Sequence, residues 1–417
     1  MKKARDKMCE FNVVFNQNVF EDDFGIAEAF GLNDEFQTKI QADIPEDYQI
    51  MLITGESGSG KSVIGRHIGL TDVPYFDKDV PIADSMGIDQ EQALVWLTSF
   101  GLGDAKQFLT TYNHLSDSQQ ARFKMALLAS KHNDDSPIVI DEFLSTLDRG
   151  TACFVAYSIA KEIRREHKRL IAITAMDDLA KWLMPDVIIY GKNYPCRFET
   201  RTNLKWNDPL SSVKLSYGNK DDYRTCYLGD LHYRGKYTGG TKEYLFADYD
   251  GEHIGALVST NRINDDGRRI ARLVVHPKAR GCGIGKMLVK KYITDYPNTD
   301  VIASMAKYSH VFEAAGMVRL SDSTMKPSGA IKRALSDIGF DQSKWGSMEY
   351  CRMFMDNQKN RETLSAFSSS FNKLVQPAGA HLTQEQIAEK ITNDRTTASR
   401  VLWWTRPRSY AKYSTQK

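Results

Sequence analysis

Two stretches of this 417-residue chain place glycines, a cation and carboxylates at spacings that suit phosphate chemistry. Residues 55–62 read Gly-Glu-Ser-Gly-Ser-Gly-Lys-Ser, directly after the apolar run Ile50-Met51-Leu52-Ile53. A buried strand, a glycine-rich turn and a helix N-terminus form a cradle. Backbone N–H groups curl inward there, and the helix dipole favours an anion. On that pattern Gly55, Ser57, Gly58 and Gly60 shape the loop. Lys61 reaches the β/γ-phosphates of a nucleoside triphosphate, and Ser62 holds Mg2+. Pro137-Ile138-Val139-Ile140 then leads into Asp141-Glu142, a second strand ending in two carboxylates. Asp141 is expected beside the metal, and Glu142 is expected to polarise an attacking water. The alternative is a chance Gly/Ser loop, against which the strand context of both motifs argues.

The second stretch begins at Arg272-Leu273-Val274-Val275 and continues His276-Pro277-Lys278-Ala279-Arg280-Gly281-Cys282-Gly283-Ile284-Gly285. Again a strand passes through a glycine turn into a helix, which builds an anion nest. Its spacing is neither that of the first loop nor Gly-x-Gly-x-x-Gly. Further along, Tyr308 and His310 are polar groups suited to proton transfer. A histidine with a pKa near ~6.5 can deprotonate an amine at neutral pH. His232-Tyr233-Arg234 forms another polar cluster, whereas His276 suits a structural role.

The elements that must hold these groups follow from patterning. Leu115-Ser116-Asp117 opens a segment whose Phe123, Ala126 and Leu127 fall at helical spacing, with Ser116 placed to cap it. Tyr244–Ala247 and His253–Val258 flank Asp250-Gly251 as a hairpin. Phe36 and Tyr48 are candidates to stack on a base, though a core role fits each as well. Near the C-terminus, Thr383 to Gln386 matches a capping box at the head of an amphipathic helix.

Composition bounds the rest. Hydrophobic residues make up 41% and charged residues 26%, values of a globular chain long enough for two or three domains. No apolar run reaches the ~18–20 residues of a membrane span, and the N-terminus lacks an apolar signal core. The six cysteines form no Cys-x-x-Cys pair, which argues against a disulfide framework and fits a cytoplasmic location. The net charge of +2 hides an asymmetry, since residues 325–417 hold 15 Lys/Arg against 8 Asp/Glu. A basic end is a mild pointer to an anionic partner.

Four motifs stand in the order found in ABC-type ATPases. The phosphate loop is followed by Leu115-Ser116-Asp117, which resembles the family's signature, then by Asp141-Glu142 and Ser145-Thr146-Leu147-Asp148. The resemblance implies ATP as the nucleotide and a homodimer through the ATP sites, with Ser116 reaching the γ-phosphate held by its partner and Asp148 in the adjoining loop. Asp117-Ser118 replace the family's two glycines, and Ala175 stands where it has a histidine. Both departures imply a slow switch. The short span from Lys61 to Leu115 sets transport aside; Gln90 and Gln92 are the candidates for a coupling glutamine.

Residues 226–322 resemble the GNAT acetyltransferase superfamily, through Arg-x-x-Gly-x-Gly at 280–285 and Phe312-Glu313-Ala314-Ala315-Gly316-Met317. That implies an acetyl-CoA pyrophosphate held by Val275, Arg280, Gly281, Gly283, Ile284 and Gly285. Phe312 occupies the position of the family's acid tyrosine, leaving Tyr308 and His310 as substitutes. The whole resembles ABC-type ATPases fused to a predicted acetyltransferase. The expected class is α/β, with an ABC-type ATPase domain (1–205), a GNAT-like α+β domain (206–324) and a basic helical region (325–417). Within the last, 382–404 resembles a helix-turn-helix, with Thr397, Ser399 and Arg400 facing a major groove and Trp403, Trp404, Arg406 and Arg408 supplying aromatics and cations. A helical pair docked on the other domains is the alternative. The main expectation is an ATP-gated acyl-CoA-dependent N-acyltransferase. A DNA-binding protein that modifies base amines through its GNAT-like domain is the second, and a binding switch without catalysis the third.

Overall fold

The computed structural model describes residues 8–17, 36–192, 197–232, 240–262, 266–303, 309–325, 328–371, 375, 382–405 and 408–415. The chain divides into two compact units: residues 1–235, 243–257 and 272–291 in one, and 236–242, 258–271 and 292–417 in the other. Neither expected boundary, 205/206 or 324/325, coincides with this division.

The first unit is built on a seven-stranded sheet. Its strands are β1 (Met8–Gln17), β2 (Phe36–Pro45), β3 (Ile50–Gly55), β4 (Ile138–Ile140), β5 (Leu170–Ile173), β6 (Val187–Lys192) and β7 (Arg197–Arg201). Their order is β1-β2-β7-β6-β3-β5-β4. β3, β4, β5 and β6 run parallel, and β3, β4 and β5 are buried along their whole length, as near-continuous apolar strands between helices should be. The C-terminal ends of β3 and β4 therefore lie on one edge of the sheet, where open α/β sheets place ligands. The packing helices are α1 (Lys61–Ile68), α2 (Gln90–Ser99), α3 (Asp117–Lys131) and α4 (Arg149–Arg165).

Local chemistry anchors β3. The Asp186 carboxylate accepts from the backbone N–H of Gln49 (3.0 Å) and of Ile50 (2.8 Å) and meets the Arg164 guanidinium in a two-pronged pair. Burial would raise its pKa, but these hydrogen bonds outweigh that and hold the carboxyl below the usual range. At the other end β3 and β6 approach so closely that only glycine fits. A Cβ on Gly55, at φ +129°, would stand 2.1 Å from the Gly191 carbonyl oxygen, itself the acceptor for the Glu56 N–H at 3.0 Å. Gly55→Ala is therefore expected to destabilise the fold by on the order of 3 kcal/mol, checked by chemical denaturation.

The chain then forms β8 (Lys214–Gly218), β9 (Thr241–Tyr249), β10 (Glu252–Asn261) and β11 (Arg268–Val275), whose segments in the first unit run β11-β10-β9-β8. β9 and β10 meet at Asp250-Gly251, both with positive φ, as the expected hairpin requires. Helix α5 (Ile284–Asp295) follows β11.

In the second unit the order is β13-β14-β12-β11, with β12 (Thr299–Ala303), β13 (Val318–Met325) and β14 (Arg408–Ser414). β14 runs antiparallel to both neighbours. The last strand returns to the sheet, so the helical residues 329–404 form an excursion between two adjacent strands. They close on their own core, with Trp345, Met355, Phe371, Ile387, Ile391, Ala398 and Leu402 all but inaccessible.

The helices α6 (Gln384–Asn393) and α7 (Arg395–Trp404) begin as expected, with the Thr383–Gln386 capping box in place. Their linkage differs from a helix-turn-helix. Asp394 alone joins them and caps α7, where that motif uses a turn of three or four residues. Ser399 is 1% exposed and donates to the Arg395 carbonyl (2.7 Å), so it does not face a groove. Trp403 donates to the Gly346 carbonyl, and Arg408 lies in β14, paired with Met325. Arg406 and the side chain of Trp404 lie outside the described residues.

Candidate functional sites

β3 leads into the first glycine loop, and α1 begins at Lys61 with Gly60 in the left-handed region at φ 88°. Ser57, Gly58, Gly60, Lys61 and Ser62 line a cleft of 330 Å³ together with Asp141, Glu142, Thr174 and Ala175. The sheet thus brings the two sequence motifs to one place. Lys61 turns back on its own loop, donating from Nζ to the carbonyls of Gly55 (3.0 Å) and Glu56 (2.6 Å). Burial lowers its pKa, and the nearby Glu142 and Asp141 carboxylates pull it up. A lysine and two carboxylates sharing one field suit a ligand with negative phosphates and a divalent cation. Mg2+ commonly takes one or two protein oxygens and completes its shell with phosphates and water. Ser62 and Asp141 supply oxygens of that kind.

The loop after β4 is strained. Glu142 and Leu144 adopt φ of 54° and 56°, while Phe143 is fully buried and donates its N–H to Ile173 O at 2.8 Å. Anchoring Phe143 leaves Glu142 exposed on the cleft side. Asp148 caps α4 by accepting from the Thr151 N–H (2.9 Å), and that bond holds its carboxyl below the usual range. Ser116 caps α3 in a reciprocal box with Gln119.

Two further ATPase-side candidates, Tyr48 and Gln92, are not among the residues lining this cleft. Tyr48 has the Arg169 guanidinium over one face of its ring, 4.4 Å from the ring centre. Gln92 lines a separate polar cleft with Trp96, His132 and Lys168. The side chain of Phe36 lies outside the described residues.

The second glycine loop follows β11. Gly281 and Gly283 have φ of 80° and 102°, a path that glycine takes without strain. Along it Cys282 and Ile284 are buried, whereas Gly281, Gly283 and Gly285 keep partial exposure. Arg280 turns inward, donating to Val275 O (3.0 Å) and to Gly103 O (2.5 Å). The Cys282 thiol donates to Phe154 O at 3.2 Å, and burial pushes its pKa up to about 12. His276 Nδ1 accepts from the Lys278 N–H; burial, then Lys278 and Arg280, lower its pKa and keep it neutral, in line with a structural role.

In the second unit His310 precedes a short helix, and its Nδ1 lies 3.7 Å from Glu313 Oε2. Phe312 is buried against Tyr413 (ring centres 5.4 Å apart), and the Tyr413 hydroxyl donates to Glu313 Oε1 at 3.1 Å. The pairing of Glu313 with Tyr413 has no sequence signature, since β14 arrives from 100 residues away. Tyr308 and the Tyr233-Arg234 pair lie outside the described residues.

A family model described as the acetyltransferase (GNAT) family matches residues 212–314. A search of curated proteins returned no match. Among solved structures, the ATP-binding cassette MJ0796, in a dimeric post-hydrolysis state bound to ADP and Pi, is 16% identical over 48% of this chain and 100% of its own, with a TM-score of 0.34. An IAA acetyltransferase from Bacillus cereus ATCC 14579 is 19% identical over 27% of this chain and 82% of its own (TM-score 0.24). A GNAT family acetyltransferase from Elizabethkingia anophelis, with acetyl-CoA bound, is 18% identical over 31% and 86% (TM-score 0.23). No helix among the described residues is long and apolar enough to cross a membrane. The first glycine loop and the paired carboxylates thus meet on a parallel sheet in a region similar to the ATP-binding cassette, and residues 212–314 match the acetyltransferase (GNAT) family.

Proposed function

We propose that this protein is an ATP-binding and ATP-hydrolysing switch of ABC type coupled to acyl-CoA-dependent transfer onto an amine. The observation that carries the ATPase half is the single cleft shared by Lys61, Ser62, Asp141 and Glu142. The match of the acetyltransferase family to residues 212–314 supports the other half.

Bound Mg2+ would neutralise charge on the triphosphate. The backbone N–H groups of the loop and the Lys61 ammonium hold its β/γ-phosphates, and Ser62 and Asp141 hold the metal. For that, Lys61 exchanges its two carbonyl acceptors for phosphate oxygens. Glu142 orients the attacking water and accepts its proton. Ser116 and Asp148 act across a homodimer, each Ser116 meeting the nucleotide held by the other protomer. The replacement of a polarising histidine by Ala175 favours slow turnover.

In the transferase half Gly281, Gly283, Ile284 and Gly285 present N–H groups to the pyrophosphate, beside Val275 and Arg280. His310 accepts the proton of the attacking amine, and Glu313 stabilises the imidazolium that forms. Phe312 cannot protonate the leaving thiolate, which leaves that role to Tyr308 or to water.

The test is calorimetric titration of the full chain with Mg-ATP and with acetyl-CoA, followed by thiol release from acetyl-CoA across a panel of amines. Binding of both ligands and amine-dependent release support the reading. Absence of either binding event overturns the corresponding half.

A further inference from the structure

The glycine loop after β11 and helix α4 of the ATPase-like region lie in the same compact unit and touch. Ser158 is 2% exposed and sits where a Cβ on Gly281 would fall, 2.1 Å from its hydroxyl. The Phe154 carbonyl receives the Cys282 thiol one turn earlier on α4. One turn after Ser158 comes Lys161, whose ammonium donates to the Gly281 carbonyl at 3.1 Å. The same nitrogen lies 3.9 Å from the position of a Gly283 Cβ.

The side of the loop on which Lys161 stands matters. Cys282 and Ile284 are buried, and the three glycines retain exposure, so the partly open face is the glycine face. The Lys161 contact is itself exposed. Lys161 acts on the neighbouring Glu162 carboxylate through charge, but that carboxylate is paired with Arg165. Arg280 is committed to two carbonyls and to Asp104 at 3.4 Å. An ammonium whose hydrogen-bond partner here is a neutral carbonyl thus stands beside the positive end of α5, an arrangement that a bound anion would relieve.

We infer that Lys161 of the ATPase-like region completes the acyl-CoA site by donating a charge-assisted hydrogen bond to the pyrophosphate. The inference rests on the reading of Arg280–Gly285 as the acyl-CoA loop and adds to it a ligand group from outside the matched family segment at 212–314. It also links the two activities. Helix α4 is capped by Asp148, six residues after Glu142 of the first cleft, and carries Lys161 to the second loop, so a shift of this helix moves a phosphate ligand. By linkage, acyl-CoA then biases the helix in return.

The experiment uses the full chain and three variants, Lys161→Gln, Lys161→Arg and Gly283→Asp, titrated with acetyl-CoA and with acetyl-pantetheine, which carries the same acyl arm without the pyrophosphate. Glutamine keeps an amide donor, one bond shorter, and removes the charge, whereas arginine keeps the charge. Lys161→Gln is expected to weaken acetyl-CoA roughly tenfold and to reduce the salt dependence of binding, with acetyl-pantetheine unchanged and Lys161→Arg close to the parent. Equal affinity of Lys161→Gln and the parent for acetyl-CoA, in a protein where Gly283→Asp abolishes binding, overturns the inference alone. If Gly283→Asp also binds as the parent does, the loop is no phosphate cradle, and both the reading and the inference fall.

Discussion

Replacing Glu142 by glutamine should cut ATP hydrolysis by about 10²–10⁴-fold while leaving Mg-ATP binding intact. Glu142 is the exposed residue of a loop whose neighbour Phe143 is locked into the core, so its side chain faces the cleft without supporting the fold. Glutamine preserves its size and its ability to hold a water, and removes the proton acceptor. Two such sites closed across a dimer would then be trapped. Light scattering under saturating Mg-ATP should therefore report twice the monomer mass for Glu142→Gln, and the monomer mass without nucleotide. Phosphate release at the parent rate would remove Glu142 from the chemistry.

The second large effect is expected at Gly283. Gly283→Asp places a carboxylate on the partly open face of the second loop, where the nearest group to its Cβ is the Lys161 ammonium at 3.9 Å. The new carboxylate would pair with that cation and occupy the place of the anion. Acetyl-CoA affinity should fall by about 100-fold or more, from like-charge repulsion and loss of the nest. Nothing else lies within 4 Å of that Cβ position, so the cost of the substitution is the backbone strain of φ 102°. Retained Mg-ATP binding and an unchanged circular-dichroism spectrum check that the variant folds. Unchanged acetyl-CoA affinity in a folded variant would make the loop a structural turn.

The local part of this architecture was legible from the sequence. Residues 50–62 and 137–142 announce themselves because strand, loop and helix are contiguous, and each glycine serves a backbone need within a few residues of itself. The β9–β10 hairpin and both helix caps at Ser116 and Thr383 are local in the same sense. What escaped is long-range. Arg408 looked like a cation for nucleic acid, yet it begins β14, whose partners lie more than 80 residues earlier. The helix-turn-helix resemblance puts Thr397, Ser399 and Arg400 on the reading face of α7, and the packing of Ala398, Ser399 and Leu402 inward removes Ser399 from it. The docking of Arg280 on Gly103, across 177 positions, has no sequence signature at all. Tyr413 remained hidden for the same reason, although its hydroxyl reaches the carboxylate next to Phe312.

The central claim is that nucleotide state and acyl-CoA binding are coupled through helix α4, and one titration tests it most directly. Acetyl-CoA is titrated into the full chain carrying Glu142→Gln, once without nucleotide and once with saturating Mg-ATP. The account predicts dissociation constants that differ by roughly fivefold or more, the lower end of ordinary coupling energies. Identical dissociation constants in the two states would contradict it.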